Sequence, residues 1–399
     1  MKVLVIGAGP AGTRCAMRIG DRIPGAEITL AGAEAALPYD RVALSRLLSG
    51  ECEVPALLTH RIADLRAHGI AYRPGTSIVA LDRDARAAVT GKGERIAYDR
   101  VVLATGSNAM RLPIPGANLP GVRVYRDLAD VRAMLTAAQG GGQAVVIGGG
   151  LLGLEAAAGL AARGMKVTVV HAVDWPMERQ LDAAAGAFLT RRMGAKGIRF
   201  AMPASTVAIE GDGHVASVRL SDGRLLPARL VVMAVGIRPN TALAQASGLA
   251  TNRGIVVDGA MRTEDPSVQA IGECAEHEGR TIGLVAPALE QAEAAAAAIA
   301  NGTAAWMPRA DSAALKVSGT DVWSAGEIGE GNAESITLRD EGDDHYRRLL
   351  LRDGRLVGAV LFGDTADAGF YMELIATRRL VAPFRAALAL GPAFVPEAA

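Results

Sequence analysis

Cysteine is scarce: three residues in 399, at Cys15, Cys52 and Cys274. No two stand close enough to make a CxxC pair. That spacing argues against a disulfide framework and against a zinc site. An iron–sulfur cluster held by this chain alone lacks its usual four thiolates, so no metal is expected. Few thiols suit a reducing compartment, and the expected location is the cytoplasm. Charge of one sign is also missing. Forty-two Lys and Arg balance 42 Asp and Glu, which speaks against nucleic acid as a main partner and against a polybasic membrane anchor. The mixed-sign run at residues 339–348 is expected to be a solvated face. Long apolar runs are absent too. The N-terminal MKVLVIGAGPAG runs from a short apolar stretch straight into a glycine turn, which fits a buried first strand better than a signal peptide. The Ala-rich run at residues 292–300 is short and fronted by Glu290, Gln291 and Glu293. It is expected to be a packed helix, not a membrane span.

Small and apolar residues are abundant. Half the chain is hydrophobic, only 4% is aromatic, and there are 47 glycines. This length suits two or three domains with sizeable cores. Strand KVLVI is followed by a glycine turn, an amphipathic helix at residues 11–19 and a second strand, EITLAG. A hairpin is expected at residues 86–100 with its turn at 91–93. The pattern then repeats. After a Pro/Gly-rich passage at residues 113–120, strand AVVIG leads to a second glycine turn, a helix to about Arg163 and strand KVTVVH, ending at His171. The repeat implies two mononucleotide-binding units in one chain. Strand VQAIGEC is expected at residues 268–274. Beyond about Pro308, alternating strands and turns followed by a helix near Asp367 indicate a separate α+β domain.

The first fingerprint is Gly7-Ala8-Gly9-Pro10-Ala11-Gly12. The first glycine allows a tight turn, the second lets backbone approach a pyrophosphate, and the third lets helix pack on strand. Phosphates then sit at the helix N-terminus. Glu34, about twenty residues on, could accept a ribose hydroxyl. The second fingerprint is Gly148-Gly149-Gly150-Leu151-Leu152-Gly153, followed by Glu155. At its ribose position stands His171, either a cofactor contact or a plain strand-end histidine, with Asp174 nearby and no Arg or Lys closely following. The reading leans to NADH and leaves room for NADPH. Two such sites mean a resident flavin dinucleotide beside a diffusible nicotinamide, with hydride passing between stacked rings.

The strings ATGS, AVGIRPN and IGEC resemble the two-dinucleotide-domain flavoprotein reductases related to glutathione reductase. The resemblance implies FAD contacts from Ala104, Thr105, Gly106, Gly236, Gly272 and Glu273, the last on the ribityl chain where the family usually has Asp. PYDRVALSR (residues 38–46) resembles the isoalloxazine-side loop of rubredoxin and ferredoxin reductases, implicating Arg41 and Ser45. A Lys–Glu pair of that branch maps onto Arg46 and Glu155, the candidate catalytic residues. The helix at Pro287 would set its N-terminus under the flavin. MERQLD, GECAEH, GLVAPALEQ and LKVSGTDVWSAG are similar to the reductase module of assimilatory nitrite reductase and the electron-transfer subunits of assimilatory nitrate reductase. The sequence ends at Ala399 without the iron–sulfur and sirohaem domains of the nitrite enzymes. A freestanding reductase with its acceptor on another polypeptide is therefore expected.

The expected architecture is α/β. An FAD domain (residues 1–112 and 242–307) receives an inserted NAD domain (113–241), and a C-terminal α+β interface domain (308–399) follows. The expected partner is a redox protein: a nitrate or nitrite reductase subunit, a rubredoxin or a ferredoxin. A homodimer is open. Rival readings are an NADH oxidase, peroxidase or CoA-disulfide reductase using Cys52, and a non-enzymatic NADH-sensing flavoprotein. Trp306, Trp323 and Tyr371 would lie either near a partner or flavin, or in the core.

Overall fold

Strand Lys2–Ile6 is apolar on both faces because it lies inside a parallel sheet, where neither face meets water. The computed structural model describes residues 1–308, 312–317, 319–329 and 331–395; Ser318 of the LKVSGTDVWSAG string lies outside these. The described chain forms two compact units.

The first unit comprises Met1–Leu47, Cys52–Ala109 and Gly236–Pro308. Its sheet runs Val268–Ala270, Arg100–Leu103, Lys2–Ile6, Glu27–Ala31, Ile70–Arg73, all parallel. Helix Pro10–Arg22 packs against helix Val285–Asn301. Ala288, Ala292, Ala295 and Ala296 are buried there, and such small side chains permit close approach. Glu293 adds ion pairs to Arg14 and Arg18 at 3.4 and 2.7 Å. The expected hairpin is present as Ala87–Thr90 against Arg95–Ala97. Ser107–Ala109, at one crossing of the chain between units, pairs antiparallel with Ile237–Pro239, at the other.

The second unit comprises Leu48–Glu51, Met110–Val235 and the described residues beyond 311. Its parallel sheet runs Arg199–Ala201, Lys166–Val170, Gln143–Ile147, Leu230–Met233, Val122–Val124. The strand order reverses beside the central strand, which opens a crevice at the carboxyl ends of the strands. An antiparallel sheet follows, in the order Ser312–Val317, Thr320–Gly326, Arg355–Phe362, His345–Arg352, Glu334–Asp340, with helix Ala368–Thr377 packed on it.

Three local expectations change. The strand expected over residues 268–274 stops at Ala270 and gives way to a short helical turn, Gly272–Cys274, because Gly272 takes φ +77°. The last long helix begins at Val285, so Pro287 is its third residue, where the missing N–H costs no hydrogen bond. The run at residues 339–348 is not wholly a solvated face: Arg347 and Arg348 are 8% and 6% exposed. They sit on a central strand of the C-terminal sheet and are paired with acids. Trp306, Trp323 and Tyr371 are all buried core residues. Cys15 and Cys274 are buried, as expected of small hydrophobes. Among the described residues no helix is long and apolar enough to cross a membrane.

Candidate dinucleotide sites

The two fingerprints fold into the same local object. Gly7 and Gly148 both take φ +114°. An added Cβ would overlap the Ala104 carbonyl in the first case and the Ala234 carbonyl in the second. Gly12 and Gly153 each lie on the carbonyl of that first glycine, so helix and strand approach more closely than any side chain allows. The middle glycines differ in kind. Around Gly150 nothing lies within 4 Å of an added Cβ, and around Gly9 only the Arg41 Nε lies there, at 3.9 Å. The protein itself does not require glycine at these two places, whereas a ligand laid on the backbone does.

Each middle glycine is the N-cap of a long helix, Pro10–Arg22 and Leu151–Ala162. Neither helix has a side-chain cap or an acid in its first turn. The first N–H groups therefore point outward with the positive end of the helix dipole behind them. Oriented donors, open backbone and no competing carboxylate suit a pyrophosphate. Pro10, Ala11, Leu151 and Leu152 form these first turns. Both sites fit a bound dinucleotide.

In the first unit Glu34 accepts from the Tyr39 hydroxyl at 2.7 Å and pairs with Arg41. The acid is thereby held at the end of its strand, with a cation next to Gly9. Ser45 lies on the short helix Leu44–Ser49, its Oγ 3.4 Å from the Val42 carbonyl. Arg46 is exposed on that helix. The half-buried Cys52 follows, donating its N–H to the Arg46 carbonyl at 3.3 Å. Thr105 Oγ1 donates to the Asn240 carbonyl at 2.7 Å, and Asn240 N–H donates to the Gly106 carbonyl at 2.8 Å. The ATGS and AVGIRPN strings are thus two sides of one crossing, with Gly236 at its start. Glu273 Oε2 accepts from Ser107 Oγ at 2.7 Å, and Gly272 N–H donates to the buried Gln291 Oε1 at 2.7 Å. Helix Val285–Asn301, with Pro287 in its first turn, has no side-chain cap.

In the second unit His171 is buried under the glycine turn. Its Nδ1 accepts from Gly149 N–H at 3.1 Å, and Nε2 faces Glu178 Oε2 at 3.1 Å. An accepting Nδ1 places the ring proton on Nε2, towards Glu178. Asp174 is exposed. Glu155, in the second turn of its helix, has its carboxyl pushed by burial from 4.5 to about 7. Burial, and secondarily the Glu155 charge, raise the Tyr125 phenol. The Tyr125 hydroxyl is buried without a hydrogen-bond partner, just beyond the end of edge strand Val122–Val124. Ser107, Tyr125, Glu178 and Gln291 were not among the expected site residues, although Ser107, Glu178 and Gln291 stand in the strings ATGS, MERQLD and GLVAPALEQ that resemblance had singled out.

Residues 1–298 match the family described as pyridine nucleotide-disulphide oxidoreductase, and residues 312–379 match the rubredoxin NAD+ reductase C-terminal domain. Over 380 residues the chain is 40% identical to the NAD(P)H nitrite reductase of Bacillus subtilis, covering 94% of this chain and 47% of that protein. It is 38% identical over 383 residues to the assimilatory nitrate reductase electron transfer subunit of the same organism, covering 95% of this chain and 49% of that one. The chain spans about half the length of these two relatives. Among solved structures, a ferredoxin reductase from Rhodopseudomonas palustris superposes with a TM-score of 0.89 at 29% identity, covering 98% of both chains.

Proposed function

This chain belongs to the pyridine nucleotide-disulphide oxidoreductase family, and from that premise we propose that it passes electrons from NADH through FAD to a redox-protein acceptor. The family works with FAD and NAD(H). We assign FAD to the first unit and the nicotinamide to the second. The observation that carries the reading is the duplicated turn, with its open middle glycine and uncapped helix. Bound FAD would supply the chemistry, accepting a hydride and releasing electrons.

The protein's part is to bind and orient. Helix N-termini 10–12 and 151–153 hold the two pyrophosphates. Glu34, fixed by Tyr39 and Arg41, takes the adenosine ribose of FAD, and Glu273 the ribityl chain. Glu178, set against His171, supplies the acid at the nicotinamide dinucleotide's ribose end, which favours NADH because a 2′-phosphate would meet a carboxylate. The uncapped N-terminus of helix Val285–Asn301 would favour negative charge on a flavin ring bound against it. We assign Arg46 to the flavin side of the first unit; Glu155, in the second, is a carboxyl that burial readies to hold or release a proton near neutral pH.

The acceptor we favour is the catalytic part of an assimilatory nitrate or nitrite reductase, in the cytoplasm. A ferredoxin-type acceptor is the second reading, favoured by the end-to-end correspondence with the R. palustris ferredoxin reductase. The test is anaerobic titration of the purified yellow protein with NADH, followed by admission of air. Bleaching of the flavin by NADH and slow return in air are expected, with faster return on adding the acceptor. A chain that binds no flavin overturns the proposal. Fast reoxidation by oxygen alone moves it to an oxidase.

A further inference from the structure

Glu273 sits in a turn secured on several sides. Gly272 N–H is held by Gln291, and the Cys274 thiol donates to the Leu103 and Ile271 carbonyls at 3.4 and 3.2 Å. Gly272 also abuts the fingerprint helix: an added Cβ would lie 3.2 Å from Ala11 Cβ. The turn that carries Glu273 is thereby set against the first turn of that helix. A glutamate has one more rotatable bond than an aspartate and loses more freedom when it is fixed on a ligand. Ser107 limits that freedom. It is buried, its backbone is locked in antiparallel register with Pro239, and its single O–H is directed to Glu273 Oε2 at 2.7 Å. A carboxylate oxygen that accepts from one hydroxyl has lone pairs for others, which is the chemistry that recognises a polyol chain.

We propose that Ser107 is a positioning residue that fixes the Glu273 carboxylate to accept the ribityl hydroxyls of the flavin. The proposal rests on the assignment of FAD to the first unit. The contact acts on the ribityl half of FAD and not on the ADP half, which the fingerprint holds, so the two halves separate positioning from simple structural damage.

The test is calorimetric titration of the flavin-stripped full-length protein with FAD and, separately, with ADP. The wild type is expected to bind both. Ser107→Ala should weaken FAD about 10-fold, as loss of a hydrogen bond to a charged group does, and leave ADP binding unchanged. Ser107→Thr, which keeps the hydroxyl, should restore FAD affinity. In a Glu273→Ala background Ser107→Ala should add nothing further. Equal weakening of FAD and ADP by Ser107→Ala, or no change in either, overturns the role of Ser107. Wild-type protein that binds ADP and not FAD overturns the flavin assignment itself, and the proposal with it.

Discussion

Arg348 Nη1 lies 2.8 Å from Asp182 Oδ2, and the two side chains are only 8% and 11% exposed. The same oxygen accepts from the Tyr346 hydroxyl at 2.6 Å, while Asp182 Oδ1 caps helix Ala183–Ala195 through Ala185 N–H at 2.9 Å. One carboxylate therefore fastens the C-terminal sheet to a helix of the second dinucleotide fold. Arg191 and Arg192 reach Asp344 from that helix as well. The MERQLD string, noticed for its resemblance, ends in this joint. Residues 308–399 were expected as a C-terminal interface domain; their described part beyond residue 311 lies in one compact unit with Met110–Val235.

Asp182→Ala removes a helix cap and takes from the buried Arg348 the carboxylate it pairs with. The expected loss is about 3–5 kcal/mol of stability. Asp182→Asn, which can still cap, should lose less. Denaturant midpoints of the two variants against the wild type check the order. Equal, small losses would mean that the joint contributes little.

Gly150→Ala and Gly148→Ala should separate ligand from fold. At Gly150 the protein leaves room for a Cβ, so the change should cost within about 1 kcal/mol of stability as an N-cap substitution. The same change should weaken NADH binding about tenfold or more by crowding the phosphates. At Gly148 the φ of +114° and the Ala234 carbonyl leave no room, and the chain itself should be destabilised. Thermal midpoints of the apoprotein, paired with NADH titrations, distinguish the two behaviours.

Glu155 carries a pH dependence with a definite sign. Its carboxyl holds a proton up to about pH 7 in the folded chain, against an ordinary value of 4.5. Between those values the folded state binds the extra proton. The contribution is complete below 4.5 and is lost as pH rises towards 7, on the order of 3 kcal/mol in all. Asp130, raised chiefly by burial to about 6, acts in the same direction. Glu155→Gln should therefore gain stability relative to wild type between pH 5 and pH 8. Urea unfolding of both proteins at these two pH values measures it, and a pH-independent difference would contradict the assignment.

Cysteine reactivity should follow burial. Burial pushes the Cys15 thiol up to about 12 and raises that of Cys274, whereas Cys52 is half-buried on a turn. Iodoacetamide at pH 8 should label Cys52 in the native protein and all three cysteines in urea. Cys52→Ser should leave NADH-driven dye reduction unchanged. A loss of turnover would support the oxidase and peroxidase readings instead.

Both dinucleotide turns could be read from the sequence because everything they need is local. Strand, glycine spacing and helix follow within about twenty residues, and the first and third glycines of each turn answer a steric demand of their neighbours. The duplication, the hairpin at residues 86–100 and the C-terminal strands were legible for the same reason. Tertiary structure alone decided the partners that are distant in sequence. Ser107 meets Glu273 across 166 positions, and Arg348 meets Asp182 across 166. The charges of Arg347 and Arg348 suggested solvent, but a strand covered on both faces buries them, and acids from elsewhere in the chain make that burial tolerable. His171 looked like a ligand contact or an idle strand end. The fold set it between Gly149 and Glu178, because a ring at that position fills the space beneath the turn. Local sterics are written in neighbouring residues, whereas charge pairing and desolvation depend on which surfaces the folded chain brings together.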